Sequence, residues 1–484
     1  AHLKCFVFMY KMERTCSSSV RPAYSKLPRL KGWQPFQPIV RPLPRTIATS
    51  SPVVTVTEPS TGPCNHQTDV GSPPVSSSAA PATVPAPAAE PAGQPFPWFS
   101  HWYPVAVLSD LDPRRPHATH LLGIPLALWR DAQGQWRAVE DRCPHRLAPL
   151  SEGRVEADGS LQCAYHGWQF DGRGACTHIP QLRGDERAQG VACASRRACV
   201  RAFPCQQLHG LLWVLPDASE QGWSKAAQEP VPSTAIKELM GGPEAEGWRQ
   251  TTQWYARDVP NRFDTLVENL IDPSHVPFAH HGVQGRRESE KGTVTKLFEE
   301  LTAGGFSFDY DPKNPRFPPS RPMFRAPTYI RYGSKFRTLN AYGVPTRPGW
   351  SRVYATFTKD TRSNLPLPWF INAIYSFIES TPWLEHLFQR HLVLEGDAYM
   401  LHVQERLLLQ EKGNWKDSFY MPAPADSSVI AMRRWLDEFG GRVPTCEPDT
   451  PMPPQMSKRQ VLDRYSQHTQ HCSHCKKALR NIEL

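Results

Sequence analysis

From Tyr103 onward the apolar residues fall into short runs, Tyr103–Leu108, Leu121–Trp129, Trp136–Glu140, Leu161–Tyr165 and Gly210–Leu215. Turn residues at Asp131–Gly134, Asp158-Gly159 and Asp171-Gly172 separate several of them. Short apolar runs between turn signals predict a small all-β module ending near Pro216. Beyond Asp217 the pattern changes. Arg262–Leu270 and Thr381–Leu409 carry helical periodicity, whereas Thr328–Tyr332, Lys335–Tyr342 and Arg352–Phe357 read as strands, with a hairpin turn across Val344–Gly349. Helices mixed with consecutive antiparallel strands predict an α+β domain.

The chain ahead of these elements is different in kind. Residues 50 to about 94 are Pro, Ala, Ser and Thr in low-complexity order, too poor in apolar side chains to build a core. The expected organisation is a leader and linker over 1–94, a β-domain over 95–216, an α+β domain over 217–410 and a polar, Pro-rich extension over 411–484. There is no internal repeat and no run of 18 apolar residues. The segment Leu365–Ile378, interrupted by Pro366 and Pro368, reads as a core or interfacial piece.

Charge sharpens this picture. The net charge is +9, but residues 1–57 hold nine Lys/Arg against the single Glu13, so the remainder is nearly neutral. A basic, Ser-containing, acid-poor leader has the composition of an organelle transit peptide. The neutral remainder offers no basic stripe for nucleic acid. Twelve Cys in so long a chain, with no secretory leader, do not read as a disulfide framework.

Four of the Cys and His residues carry a first chemical signal. Cys143-Pro144-His145-Arg146 is followed, after residues 146–162, by Cys163-Ala164-Tyr165-His166-Gly167-Trp168. Each segment offers one thiolate and one imidazole. Two such loops facing each other can hold a [2Fe–2S] cluster with both Cys on one iron and both His on the other, which raises its potential. A Cys₂His₂ zinc site is the alternative, although zinc fingers usually pair Cys with Cys and His with His.

A second signal is the stretch Asn269-Leu270-Ile271-Asp272-Pro273-Ser274-His275, continuing to His280-His281. Two imidazoles five residues apart can reach one metal. With a carboxylate they make the facial arrangement that leaves iron positions open for O₂ and substrate. A third signal is Cys472-Ser473-His474-Cys475, preceded by His471. It reads as a redox pair, half of a zinc site, or two incidental thiols.

Cys-x-His-Arg with Cys-x-Tyr-His-Gly-Trp, and Asn269-x-x-Asp272-x-x-His275-x-x-x-x-His280, resemble the signatures of the Rieske non-haem iron oxygenases. Arg257-Asp258-Val259, Asp264–Asn269, Phe278–His281, Gly285–Arg287 and the late Cys-x-x-Cys resemble its pheophorbide a oxygenase group. The resemblance implies a Rieske domain with one [2Fe–2S] cluster on Cys143, His145, Cys163 and His166. It implies a helix-grip-like catalytic domain with one mononuclear Fe(II) on His275, His280 and a late carboxylate, chosen here as Asp397 with Glu395 as rival. Asp272 would bridge a Rieske His of one subunit to an iron-ligating His of its neighbour, with Asn269 beside it. Cys472 and Cys475 would be the redox pair. The group further implies ferredoxin as electron donor, O₂ and a tetrapyrrole as substrates, a homotrimer, membrane association, and a chloroplast location at the thylakoid or inner envelope. The implied reaction is macrocycle opening of pheophorbide a, in a pocket expected to be large and apolar, with Phe278, Trp369 and Phe370 as candidate lining residues or, as is commoner for aromatics, part of the core. A redox-sensing subunit of the inner-envelope translocon, or a chlorophyllide or protochlorophyllide oxygenase, is the alternative.

Overall fold

The protein is described by a computed structural model over residues 96–483, apart from 242–244, 315–318, 334–336, 363–368, 412 and 448–449. The expected transit peptide and linker lie outside these residues.

The predicted β-module is present as three small antiparallel sheets. One orders β1 (Tyr103–Val107), β11 (Leu211–Val214) and β10 (Cys205–Leu208). A second orders β2 (His117–Leu121), β3 (Ile124–Arg130), β4 (Trp136–Glu140) and β9 (Ala202–Phe203). The third runs β5 (Arg154–Val155), β6 (Leu161–Gln162), β7 (Gln169–Phe170) and β8 (Cys176–His178). The last sheet is made of two- and three-residue strands. Its own core is Cys143, Leu150, Leu161, Cys163, Phe170 and Cys176 packed against Trp129 and Val139.

The second region is built on an eight-stranded sheet. The order along it is β12 (Trp248–Gln250), β19 (Trp350–Asp360), β18 (Arg337–Arg347), β17 (Tyr329–Gly333), β16 (Met323–Arg325), β15 (Gly305–Asp311) and β14 (Val294–Leu297). The remaining strand, β13 (Tyr255–Val259), also pairs with β19. The β18–β19 hairpin turns at Pro348-Gly349, where the sequence places it. The site helix, Phe263–Ile271, lays Leu266 and Val267 against this sheet so closely that a Cβ at Gly343 would sit 3.4 Å from both side chains. A long helix, His391–Gln410, follows a π-helical turn over His386–Arg390.

The two regions share one core. Trp98, Tyr103 and Trp213 from the β-module pack with Phe263, Phe324, Tyr342 and Tyr354. Arg352 ties them with polar bonds: its Nε and Nη2 donate to both oxygens of Asp258 at 2.6 and 3.0 Å. Its Nη1 donates to the Val105 carbonyl at 3.1 Å and to Thr119 Oγ1 at 3.0 Å.

Residues beyond 411, which look polar in sequence, join this core. Helix Ser427–Trp435 buries Met432 and Trp435. Trp435 Nε1 donates to the Thr302 carbonyl at 3.0 Å, and Arg433 pairs with Glu268 of the site helix. Truncating an anchor such as Trp435 to Ala would cost about 3–5 kcal/mol.

Candidate functional site

The Cys143 and Cys163 loops are near-copies of one another. Cys143 N–H donates to the Ala148 carbonyl and Leu147 N–H returns to the Cys143 carbonyl, both at 2.8 Å. Cys163 N–H donates to the Trp168 carbonyl at 2.8 Å, and Gly167 N–H returns to the Cys163 carbonyl at 3.0 Å. Closing each loop requires a left-handed residue, Leu147 at φ 62° and Gly167 at φ 75°. Both sulfurs are buried, whereas His145 is exposed and His166 half-buried. The two imidazoles lie 4.5 Å apart, and His145 stacks on Trp168.

Burial and the neighbouring Cys163 push the Cys143 thiol up to about 12. Two adjacent buried thiols held this way suit a cation that takes them as thiolates. Each loop brings one Cys and one His, the mixed pairing of two thiolates and two imidazoles that a [2Fe–2S] cluster with both His on one iron takes.

The second constellation is also brought together. The site helix stops at Asp272, because Pro273 cannot continue it. Ser274 N–H and Oγ–H donate to Asp272 Oδ1 at 2.7 and 2.6 Å, closing a tight Asx turn. His275 and His280 then flank a single short helix, Val276–Ala279, which points both rings to one side. Asp397 enters from the long helix. His275 Nε2 lies 3.2 Å from His280 Nε2 and 3.8 Å from Asp397 Oδ1, and His280 Nε2 lies 3.3 Å from Asp397 Oδ2.

The donor set fits a divalent metal. His275 Nδ1–H donates to Asp272 Oδ2 at 3.2 Å, which leaves its Nε2 as a lone pair facing His280 and Asp397. Burial opposes a charge on His275, but Asp272 and Asp397 outweigh it and raise its pKa. Burial lowers His280 to about 4. Asp397 is raised to about 6 by burial, offset in part by His275 and by a hydrogen bond from Asn269. For Asp272, burial is outweighed by the hydrogen bond and charge of His275, which hold it below the ordinary carboxylate range.

Asp397, not its rival, faces the histidines. Glu395 turns to Arg464 and Arg257, with Arg464 Nη2 at 2.6 Å from Oε2. His281 is exposed and accepts from Arg287 N–H at 3.1 Å. Sequence reading missed Gly396: a Cβ there would meet the Ala279 carbonyl oxygen at 2.6 Å and His280 Nδ1 at 2.9 Å, so glycine lets the long helix approach the His280 segment.

A cavity of about 590 Å³ opens onto His275, His280 and Asp397. Its other walls include Tyr255, Leu339, Val353, Phe357, Arg337 and Arg390. Phe278, Trp369 and Phe370, the aromatics expected to line it, instead point outward and are more than half exposed. Expecting them there was an error of facing, because periodicity gives a face but not what covers it. A second groove of similar volume, along Tyr399, Val403 and Leu407, holds none of these donors. No helix among the described residues is long and apolar enough to cross a membrane.

Two family profiles match the chain: the Rieske [2Fe-2S] domain over residues 101–204 and pheophorbide a oxygenase over residues 318–415. The chloroplastic pheophorbide a oxygenase of Oryza sativa subsp. japonica is 37% identical over 409 residues, 79% of this chain and 73% of that one. The chain belongs to the pheophorbide a oxygenase family of Rieske oxygenases.

Other relatives of this Rieske oxygenase widen the chemistry. Flavonoid 8-hydroxylase 2 of Ocimum basilicum is 33% identical, over 77% of this chain and 72% of its own. The protochlorophyllide-dependent translocon component 52 of Arabidopsis thaliana is also 33% identical, over 80% and 75%. These plant relatives are all named chloroplastic, and the family places this oxygenase in the chloroplast with them. Among solved structures, dicamba monooxygenase bound to dicamba matches at a TM-score of 0.50 and 18% identity, over 70% of this chain and 96% of its own. That likeness confirms the fold, a β-domain carrying the Rieske loops joined to an α+β domain.

The last pair expected from sequence, Cys472 and Cys475, lies elsewhere in this Rieske oxygenase. Both are free thiols. Their neighbours are His386 and His468, not the adjacent lysines: Cys475 Sγ is 3.3 Å from His386 Nδ1 and 3.2 Å from His468 Nε2. Hydrogen bonding with Cys475, then with the two histidines, holds Cys472 well below the usual thiol range. The signal for His468 was in the sequence, four residues before Cys472; His386 is remote and had none.

Proposed function

We propose that this chain is a ferredoxin-dependent oxygenase that opens the macrocycle of pheophorbide a. The observation that carries the reading is the cavity of about 590 Å³ ending on His275, His280 and Asp397. Such a volume takes a large ligand. Arg390 borders it with an Nη2 that finds no hydrogen-bond partner among the described residues, a suitable anchor for a substrate carboxylate.

When bound, a [2Fe–2S] cluster on Cys143, His145, Cys163 and His166 supplies single electrons, and Fe(II) on His275, His280 and Asp397 supplies O₂ activation. The protein's own part is positional. Asp272 orients His275 through Nδ1, and Asn269 holds Asp397. The half-buried outer edge of Asp272 would meet a Rieske histidine of a neighbouring copy in a head-to-tail trimer. In this reading residues 1–94 are a transit peptide and linker and 95–216 the Rieske domain. Residues 217–410, together with the later helices, form the catalytic domain, and the assembly associates with the thylakoid or envelope membrane.

The test is a reaction of the reconstituted protein with reduced ferredoxin, ¹⁸O₂ and a panel of pheophorbide a, chlorophyllide a, protochlorophyllide and a flavone, read by mass spectrometry. Labelled, ring-opened product from pheophorbide a is expected. Hydroxylated flavone, or no product with both iron centres present, overturns the assignment. The second result favours the translocon redox subunit, a reading kept by the similarity to translocon component 52.

A further inference from the structure

The chain carries a third group of metal-type donors, one that the oxygenase chemistry does not use. His386, His468, Cys472 and Cys475 each offer one ligand atom, and all four atoms lie within 4.8 Å of one another. We propose that these residues form a closed, structural zinc site.

The donor chemistry and geometry agree with this metal. Two thiolates and two imidazoles make a tetrahedral zinc set, with metal bonds of about 2.3 Å to sulfur and about 2.0–2.1 Å to nitrogen. Those bond lengths put neighbouring donors about 3.3–3.8 Å apart on the tetrahedron. Here His468 Nε2 and Cys475 Sγ are 3.2 Å apart, His386 Nδ1 and Cys475 Sγ 3.3 Å, and His386 Nδ1 and Cys472 Sγ 3.8 Å. All four positions come from protein, which leaves none open for substrate and marks the site as structural. Three of the four donors are dry, His386 and His468 at 1% exposed and Cys472 at 3%, while Cys475 is partly exposed.

Groups behind the donors aim them. His468 Nδ1–H donates to the Ala256 carbonyl at 2.6 Å, which fixes the tautomer and leaves the Nε2 lone pair toward Cys475. The outer nitrogen of His386 faces the buried Glu385 carboxylate at 3.9 Å. Both histidines stand in π-helical turns, His386–Arg390 and Tyr465–Thr469, local distortions that often mark ligand-bearing positions. Cys472 precedes the C-terminal helix Ser473–Glu483, and Cys475 lies in its first turn.

The site sits at a junction. Ser473 N–H donates to Asp110 Oδ1 of the Rieske domain at 2.8 Å, so the C-terminal helix is pinned to that domain. The Tyr255 ring stacks on His468 at 4.6 Å and meets His386 edge-on at 5.0 Å, while Tyr255 also lines the oxygenase cavity. A metal here fastens the C-terminal helix to the back wall of that cavity. The same two sulfurs cannot hold a metal and form a disulfide at once, so the site competes with the redox role suggested by the Cys-x-x-Cys spacing.

The test is metal analysis and zinc-edge X-ray absorption on the full chain, purified anaerobically and dialysed free of loose metal. About one zinc per chain is expected in addition to iron, with a shell of two sulfurs and two nitrogens. Cys472→Ser/Cys475→Ser should lose the zinc, and His275→Ala/His280→Ala should keep it. Absence of zinc from the parent protein, a shell of nitrogen and oxygen only, or a Cys472–Cys475 disulfide in place of the metal overturns the proposal. The spectrum of the parent protein decides even if a variant fails to fold.

Discussion

Replacing Gly396 by Ala separates helix stability from site geometry. In a helix interior Ala is favoured over Gly by about 0.5–1 kcal/mol. At this position, however, the new Cβ would lie 2.6 Å from the Ala279 carbonyl oxygen and 2.9 Å from His280 Nδ1, where ordinary contact begins near 3.4 Å. The nearest obstacle is backbone, which cannot rotate away. The long helix and the His280 segment must therefore part by about 0.8 Å, a misplacement of the size that costs on the order of 10²-fold in rate. The overlap costs about 1–3 kcal/mol, which equals or exceeds the helix gain of about 0.5–1 kcal/mol, so the net change is neutral to destabilising. The decisive readouts are iron content and turnover, with the melting temperature as a check on folding. Gly190→Ala is the matched control: it lies in helix Glu186–Cys193 with nothing within 4 Å of the new Cβ, and should gain about 0.5–1 kcal/mol with turnover unchanged. If Gly396→Ala kept its iron and turned over within about twofold of the parent, the reasoning would be refuted.

Asp272→Asn should keep both metals by elemental analysis yet lose turnover by about 10–100-fold, because the amide oxygen still orients His275 but the charge is gone; normal turnover would sink the bridging role. Arg352→Met leaves Asp258 without its bidentate partner and cuts two bonds to the Rieske domain, so thermal denaturation should report a loss of about 3 kcal/mol, partly recovered by adding Asp258→Leu. Burial pushes the Glu405 carboxyl from 4.5 up to about 7, although Arg262 N–H and Arg406 Nη1 both donate to it at 2.7 Å. A raised carboxyl pKa means the folded chain holds the proton longer than the unfolded one. The stability from this group is therefore full below pH 4.5 and is lost as pH rises through about 7. Glu405→Gln should flatten the melting-temperature profile across that window, and an unchanged slope would count against the assignment.

Local pattern was enough for the change from a β-module to an α+β region, the β18–β19 hairpin and the marking of both histidine motifs, but not for strands β14 to β16 or helix Glu186–Cys193. A loop that must present Cys and His together, close on itself and leave two rings outward has few solutions, so Cys143–Trp168 is legible as it stands. The same holds for Asp272–His280, where Pro273 ends one helix and five residues turn two imidazoles to one side. Asp397 was reachable only through family likeness. The choice over Glu395 belongs to the tertiary structure, where Arg464 and Arg257 draw Glu395 away. Sequence also misjudged the outward aromatics Phe278, Trp369 and Phe370, and the polar-looking tail whose Met432 and Trp435 complete the core. Which element covers a face depends on segments far apart in the chain. Likewise, no spacing rule unites His386 with Cys475, 89 residues away. The sequence by itself determined the ligand loops, because their chemistry is held within a few neighbouring residues. Only the fold decided which carboxylate faces His275 and His280, the cavity walls and the His386–His468–Cys472–Cys475 cluster, because each is assembled from chain segments that meet only when the core closes.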